Sequence, residues 1–137
     1  MVKKMMVGLL IAMVGVCFGA KFESNVALNF ITTKNFNKLP EYIKTNNEVY
    51  VSSTAKGWYE RSIYVVSEII IDLNNKSINV DNIEKTIESK MGAIKAPKKY
   101  YLIVASILRF VIPHEKANKI VENLYEKYKA EIPENNP

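Results

Sequence analysis

The chain has 137 residues, a formal net charge of +5 and a pI near 9.2, with 48% hydrophobic and 10% aromatic residues. That length holds one domain, and that composition excludes a chain disordered throughout. The basic excess is spread along the chain instead of forming a block, which argues against nucleic acid as a partner.

The first residues have the layout of a secretory signal peptide. Lys3 and Lys4 are followed by the apolar stretch Met5–Phe18, then by Gly19-Ala20 and the charged Lys21-Phe22-Glu23. The reading is a signal peptide over residues 1–20 that is cleaved. Two alternatives are a retained inner-membrane anchor over residues 5–20 and lipidation at Cys17. Cys17 is the single cysteine, so cleavage leaves a mature chain without thiol or disulfide. A disulfide-free exported domain fits a bacterial periplasm. Loss of Lys3 and Lys4 lowers the mature charge from +5 to +3.

Residues 21–54 read as a mixed or irregular N-terminal arm. Val26, Leu28 and Phe30 alternate like a strand, whereas Ala27, Phe30 and Ile31 fit a helical face equally well, with Ser24 as a cap for a helix from Asn25. Glu48–Val51 suits a short strand or an extended arm.

From Ala55 the pattern becomes helical. Tyr59, Ile63, Val66, Ile70 and Leu73 recur at spacings of four, three, four and three, with Ser53 or Thr54 as the N-cap. The β-branched run 63–71 could alternatively form a strand, but the stripe persists over four turns and favours helix. Asp81 with Glu84 suggests a capping box for a helix with the stripe Val80, Ile83, Ile87 and Met91, ended by a left-handed Gly92. Pro97 suits the first turn of a helix that runs to Ile112, and Pro113 starts a last helix with the stripe Ala117, Ile120, Val121, Leu124 and Tyr128. Residues 133–137 are a tail.

The most continuous apolar run outside the N-terminus is Tyr100–Ile112, with Arg109 its only charged residue. As a helix it would span about 20 Å, short of a hydrocarbon layer of about 30 Å, and Arg109 would be costly in lipid. The expectation is therefore a mainly α protein. A small bundle of about four helices over residues 55–132 packs around a central apolar helix at 100–112, preceded by the signal peptide and the irregular arm.

The inventory of chemistry is thin. His114 is the one histidine, and glycines beyond the signal segment are Gly57 and Gly92, so neither a histidine metal site nor a phosphate-cradling loop is written here. No catalytic residues, metal or cofactor are expected. Glu84 with Glu88, and Glu122 with Glu126, are carboxylate pairs of the kind a hydrolase of envelope polymers would use, but they equally make a solvated helix face. Asn75-Lys76-Ser77 matches a glycosylation sequon that carries little weight in a bacterial chain.

Two clusters suit binding. Trp58, Tyr59 and Arg61 are the residue types that dominate interface energetics. Lys95, Lys98, Lys99, Tyr100 and Tyr101 combine ammoniums and amphipathic rings as a membrane interface does. The functional expectation is an exported, non-catalytic interaction or accessory protein of the bacterial periplasm or cell envelope, its partner another envelope protein or the membrane surface. The alternatives are a small membrane protein, holin- or inhibitor-like, with its N-terminal segment retained, and the carboxylate hydrolase.

Overall fold

A computed structural model describes residues 22–44 and 57–132; residues 1–20, read above as a signal peptide, Glu48–Val51, Ser53, Thr54 and the tail lie outside the described residues. The protein is mainly helical, with no strand among the described residues. Its helices are α1 (Ser24–Thr32), α2 (Trp58–Asn74), α3 (Ile83–Ala93), α4 (Lys98–Ile107) and α5 (His114–Tyr128). Residues 39–44 are also helical, and 3₁₀ turns occupy Phe36–Lys38, Val80–Asn82, Leu108–Phe110 and Lys129–Glu131.

Helices α2 to α5 run up, down, up and down. Glu68 on α2 meets Lys90 near the end of α3, Trp58 at the start of α2 meets Tyr100 at the start of α4, and Tyr101 meets Tyr128 at the end of α5. One end of the bundle thus holds the starts of α2 and α4 and the finishes of α3 and α5. At the opposite end lie Asn74, Phe110 and His114.

The predicted stripes are buried at their centres, whereas Tyr59, expected to open the α2 stripe, is exposed at the helix start and Leu73, Val80, Val121 and Tyr128 are half-buried near helix ends and edges. Ile63, Val66 and Ile70 on α2 have no exposure, nor do Ile83, Ile87 and Met91 on α3, and on α5 Ala117, Ile120 and Leu124 are buried. Val65 and Ile69 widen the α2 face to near-complete cover, which rules out the strand alternative for the β-branched run. Ser62 and Ser67 are buried there too, each donating its hydroxyl to the carbonyl four residues back, at 2.7 and 3.0 Å.

Helix α4 is central, packing against α2, α3 and α5. Tyr101, Val104, Ala105, Leu108 and Ile112 form its buried side, whereas Ile103, Ile107 and Val111 are half-buried and Phe110 is exposed. The helix is shorter than predicted. It leaves α geometry after Ile107 and tightens into a 3₁₀ turn, because Pro113 supplies no N–H and disfavours helical Ile112. The tightened turn frees the Phe110 carbonyl, which accepts a 2.7 Å hydrogen bond from Lys34 Nζ.

Residues 22–44 are an integral part of the core. Phe22, Ala27, Ile31, Leu39 and Ile43 are buried in the same cluster as α2 to α5. The Phe22 ring sits 5.2 Å from Tyr64 and 5.6 Å from Tyr42, and the Glu23 N–H donates to the Tyr42 hydroxyl at 2.9 Å. Ser24 does not cap α1. It is the first helical residue, buried, and its hydroxyl donates to Glu60 on α2 at 3.3 Å. The irregular-arm expectation fails over Ser24–Thr32 because partners distant in sequence, Tyr42, Glu60 and Tyr64, decide that conformation.

Helix ends differ from expectation in detail. Gly57, not Ser53 or Thr54, is the N-cap of α2. Asn79, not Asp81, caps the turn into α3: its side chain accepts from Asp81 N–H, and its own N–H donates to Asn82 Oδ1, both at 2.9 Å. Pro97 and Pro113 stand one place earlier than first-turn positions, as the N-caps of α4 and α5. Gly92 stays inside α3, and the left-handed residue is Lys95, at φ 59°. Lys34 and Lys76 take the same conformation after α1 and α2, both at φ 61°. In all three, the following residue's N–H reaches back five residues: Asn35 to Phe30, Ser77 to Asp72, Ala96 to Met91.

Candidate interaction face

The two clusters singled out from sequence meet at one end of the bundle. Trp58 opens α2, and Arg61, three residues on, lies on the same side of the helix. Its guanidinium carbon is 3.9 Å from the Trp58 ring centroid, a close cation–π contact. Tyr100, in the first turn of α4, places its ring 6.3 Å from Trp58 with the planes 35° apart. The Lys99 ammonium stands 5.5 Å from the Tyr100 ring centre. The result is a ladder of two rings between two cations: Arg61, Trp58, Tyr100, Lys99. Its two rings are half-buried.

The remaining candidates stand elsewhere. Tyr59 is 43% exposed and points away from the ladder, as its neighbouring position on the helix requires. Lys95 is exposed in its left-handed turn. Tyr101 is buried and belongs to a second network. Its ring packs edge-on against Tyr128 at 5.3 Å, the Lys98 ammonium lies 5.5 and 5.1 Å from the two rings, and Lys98 pairs with Glu131 at 3.1 Å. The Lys95–Tyr101 cluster therefore divides, half facing α2 and half holding α4 to α5.

That second network has electrostatic consequences. Glu88 on α3 accepts from the Lys127 ammonium at 2.6 Å and the Tyr128 hydroxyl at 2.7 Å. Burial pushes the Glu88 carboxyl up, but the bonds from Lys127 and Tyr128 outweigh it and hold it below its ordinary value. The same bond to Glu88, with burial, pushes the Tyr128 hydroxyl up to about 12, and Glu88 also raises Lys127. Glu68 is raised because its burial exceeds the help from Lys90, 3.5 Å away. No sequence signal points to the Glu88–Tyr128 pair, because nothing local couples α3 to α5.

Of the four carboxylates considered for hydrolysis, Glu122 is exposed on α5 and the other three are held individually. Glu84 accepts from Asn123 at 3.0 Å, Glu88 is engaged as described, and Glu126 pairs with Lys129 at 2.9 Å. A groove of about 460 Å³ at the far end of the bundle is lined by Asp81, Glu84, Glu115, Lys116 and Lys119 over Val80 and Ile120. Carboxylates and ammoniums are mixed there. Among the described residues, no group of His, Cys, Asp or Glu is placed to hold a metal, and no helix is long and apolar enough to cross a membrane. His114 is exposed at the start of α5.

No family model, curated protein or solved structure matches this chain.

Proposed function

We propose that this is an exported, non-catalytic interaction protein of the bacterial cell envelope, working through the end of the bundle that carries Trp58 and Tyr100. The observation behind the reading is the ladder itself. Two segments far apart in sequence each hold residue types favoured at interfaces, and folding sets them ring against ring at 6.3 Å. Rings fixed by stacked cations lose little freedom when a partner covers them, which favours binding. The engagement of Glu84, Glu88 and Glu126 in hydrogen bonds and ion pairs supports a reading without catalysis. The signal-like residues 1–20 support export.

Photo-crosslinking in intact cells tests this. A photoreactive amino acid replaces Tyr59, next to Trp58, or Lys95, in the turn before α4, and in a third chain replaces Phe110, 37% exposed at the opposite end of the bundle. The expected result is adducts with other envelope components from the first two positions and none from Phe110. Equal labelling from all three, or adducts from none, sinks the proposal.

A further inference from the structure

Helix α4 is apolar on every side, the pattern of a helix buried all round, yet the fold covers only one of those sides. No charge occurs from Tyr100 to Leu108, and Tyr101, Val104, Ala105 and Leu108 take the buried side. Ile103, Ser106 and Phe110, three and four residues apart, lie on the opposite side and form a strip down the outside of the bundle. Ile103 and Ser106 are half-buried, and Phe110 is 37% exposed. The Ser106 hydroxyl donates to the Ile103 carbonyl at 3.0 Å, so its proton is used within the helix and the strip stays apolar.

Helix α5 extends the strip on one flank. Asn123 and Lys127 meet Glu84 and Glu88, which fixes the side of α5 that faces α3. Glu122 and Tyr125 lie on the other side of α5, toward the outside of α4, and Tyr125 is 38% exposed. Arg109, at the far end of the strip, turns toward this same flank. It shares a side of α4 with Lys98, which packs on Tyr128 of α5. Arg109 and Glu122 are both exposed, and among the described residues neither has an ion-pair or hydrogen-bond partner.

We propose that the same strip of a second copy covers this one, packed antiparallel about a two-fold axis that crosses α4 beside Ser106 toward α5. Residue size fits that arrangement. Ser106 is small, and Ile103 and Phe110 stand about 4.5 and 6 Å to either side of it along the helix. The axis sets Phe110 of each copy against Ile103 of the other, with the small residue where the two helices come closest. Charge fits as well. Tyr128 meets Tyr101 and Lys98, and α5 runs antiparallel to α4, so Glu122, about 9 Å before Tyr128, stands beside the middle of the strip. The axis carries Arg109 of each copy to that flank of the other, so two Arg109–Glu122 pairs join charges that are otherwise unpartnered. A parallel pairing would instead stack the basic Lys95–Lys99 turns of the two copies, whereas the antiparallel one sends them to opposite ends. An anionic membrane would meet Glu122 with like charge. The strip is about 16 Å long and two helices, about 20 Å, wide, which is well below the roughly 800 Å² per partner of a standard interface. The dimer is therefore expected at micromolar, not nanomolar, concentration. The strip includes none of the ladder residues, so its failure leaves the proposed function untouched.

The chain, purified as cells deliver it, is sedimented across the micromolar range, and a monomer–dimer equilibrium is expected. Ser106→Lys sets two ammoniums against each other at the axis and is expected to leave only monomer, with native helicity by circular dichroism. Arg109→Glu and Glu122→Arg, both at exposed positions, are each expected to weaken the dimer about tenfold, because two pairs turn from attraction to repulsion. Mixed in equal amounts, those two chains are expected to recover the dimer, because both pairs across the axis again join opposite charges. If Ser106→Lys unfolds, the two charge-reversed chains decide the matter. The photoreactive residue at Phe110 is expected to join two copies of this chain. A chain that stays monomeric throughout the range overturns the proposal, and so does a dimer indifferent to all three substitutions. Charge reversals that weaken the dimer without recovery on mixing overturn it too, because Arg109 then does not face Glu122 of the other copy.

Discussion

Replacing Phe22 with alanine tests whether residues 22–44 belong to the core. Phe22 is 1% exposed and sits between Tyr42 and Tyr64, its ring edge-on to Tyr64 at 5.2 Å. A buried phenylalanine removes about 150–250 Å² from water, which at about 25 cal/mol per Å² corresponds to about 4–6 kcal/mol. Measured Phe→Ala losses in cores run at about 3–5 kcal/mol, so about 4 kcal/mol is expected here. Against a urea slope of about 1.5–2 kcal/mol per M, that lowers the unfolding midpoint by about 2–3 M. Circular dichroism and Trp58 fluorescence should report the same transition, because α1 and α2 share one core. Phe22→Leu, which keeps apolar bulk at the site, should cost under about 1.5 kcal/mol. A loss of only about 0.5 kcal/mol for Phe22→Ala, the range of ordinary surface changes, would falsify the packing described for α1.

The left-handed lysines make a second set. Lys95→Gly and Lys76→Gly should each stabilise by about 0.5–1 kcal/mol, since a left-handed side chain costs about 1–2 kcal/mol and glycine returns part of that as unfolded-state entropy. Lys34→Gly should gain nothing, because it forfeits the 2.7 Å bond from Lys34 Nζ to the Phe110 carbonyl; thermal melts of the three variants rank them. Tyr128 supplies a pH test. Its hydroxyl is pushed up to about 12 in the fold, above the ordinary value of 10.0. Its contribution is therefore complete below pH 10 and lost as pH rises through the folded value. Tyr128→Phe should flatten that alkaline loss in urea titrations, and an unchanged slope would count against the Glu88–Tyr128 bond.

The sequence was most legible where a helix buries one regular stripe. Ile63, Val66 and Ile70, then Ile83, Ile87 and Met91, then Ala117, Ile120 and Leu124 repeat at helical spacing because each set forms the side of its helix that faces the common core. Helix α1 offers only Ala27 and Ile31 as fully buried positions, too few to separate helix from strand. Its start is held by Tyr42 and Glu60, which no local pattern connects to it. Helix termini misled for a related reason. Lysine has no intrinsic preference for the left-handed region, so nothing in the residue type marks Lys34, Lys76 or Lys95 as stops. At the candidate face the residue types were legible and their partnership was not. Trp58 and Tyr100 meet only because α2 and α4 run in the same direction, and the split of Lys98 from Lys99 follows from their placement on opposite sides of α4.

The order of connection along the bundle bears on how the chain folds. From α2 onward each helix packs against the next through a short loop, so those contacts are local and cost little loop-closure entropy. Helix α1 is different, for its partner Glu60 lies beyond a long intervening stretch. A chain that emerges N-terminus first presents Phe22 and Ile31 well before α2 exists to receive them. Until that helix arrives, the earliest apolar residues of the domain are its most exposed, and the interval is when the chain is most open to proteases and to self-association.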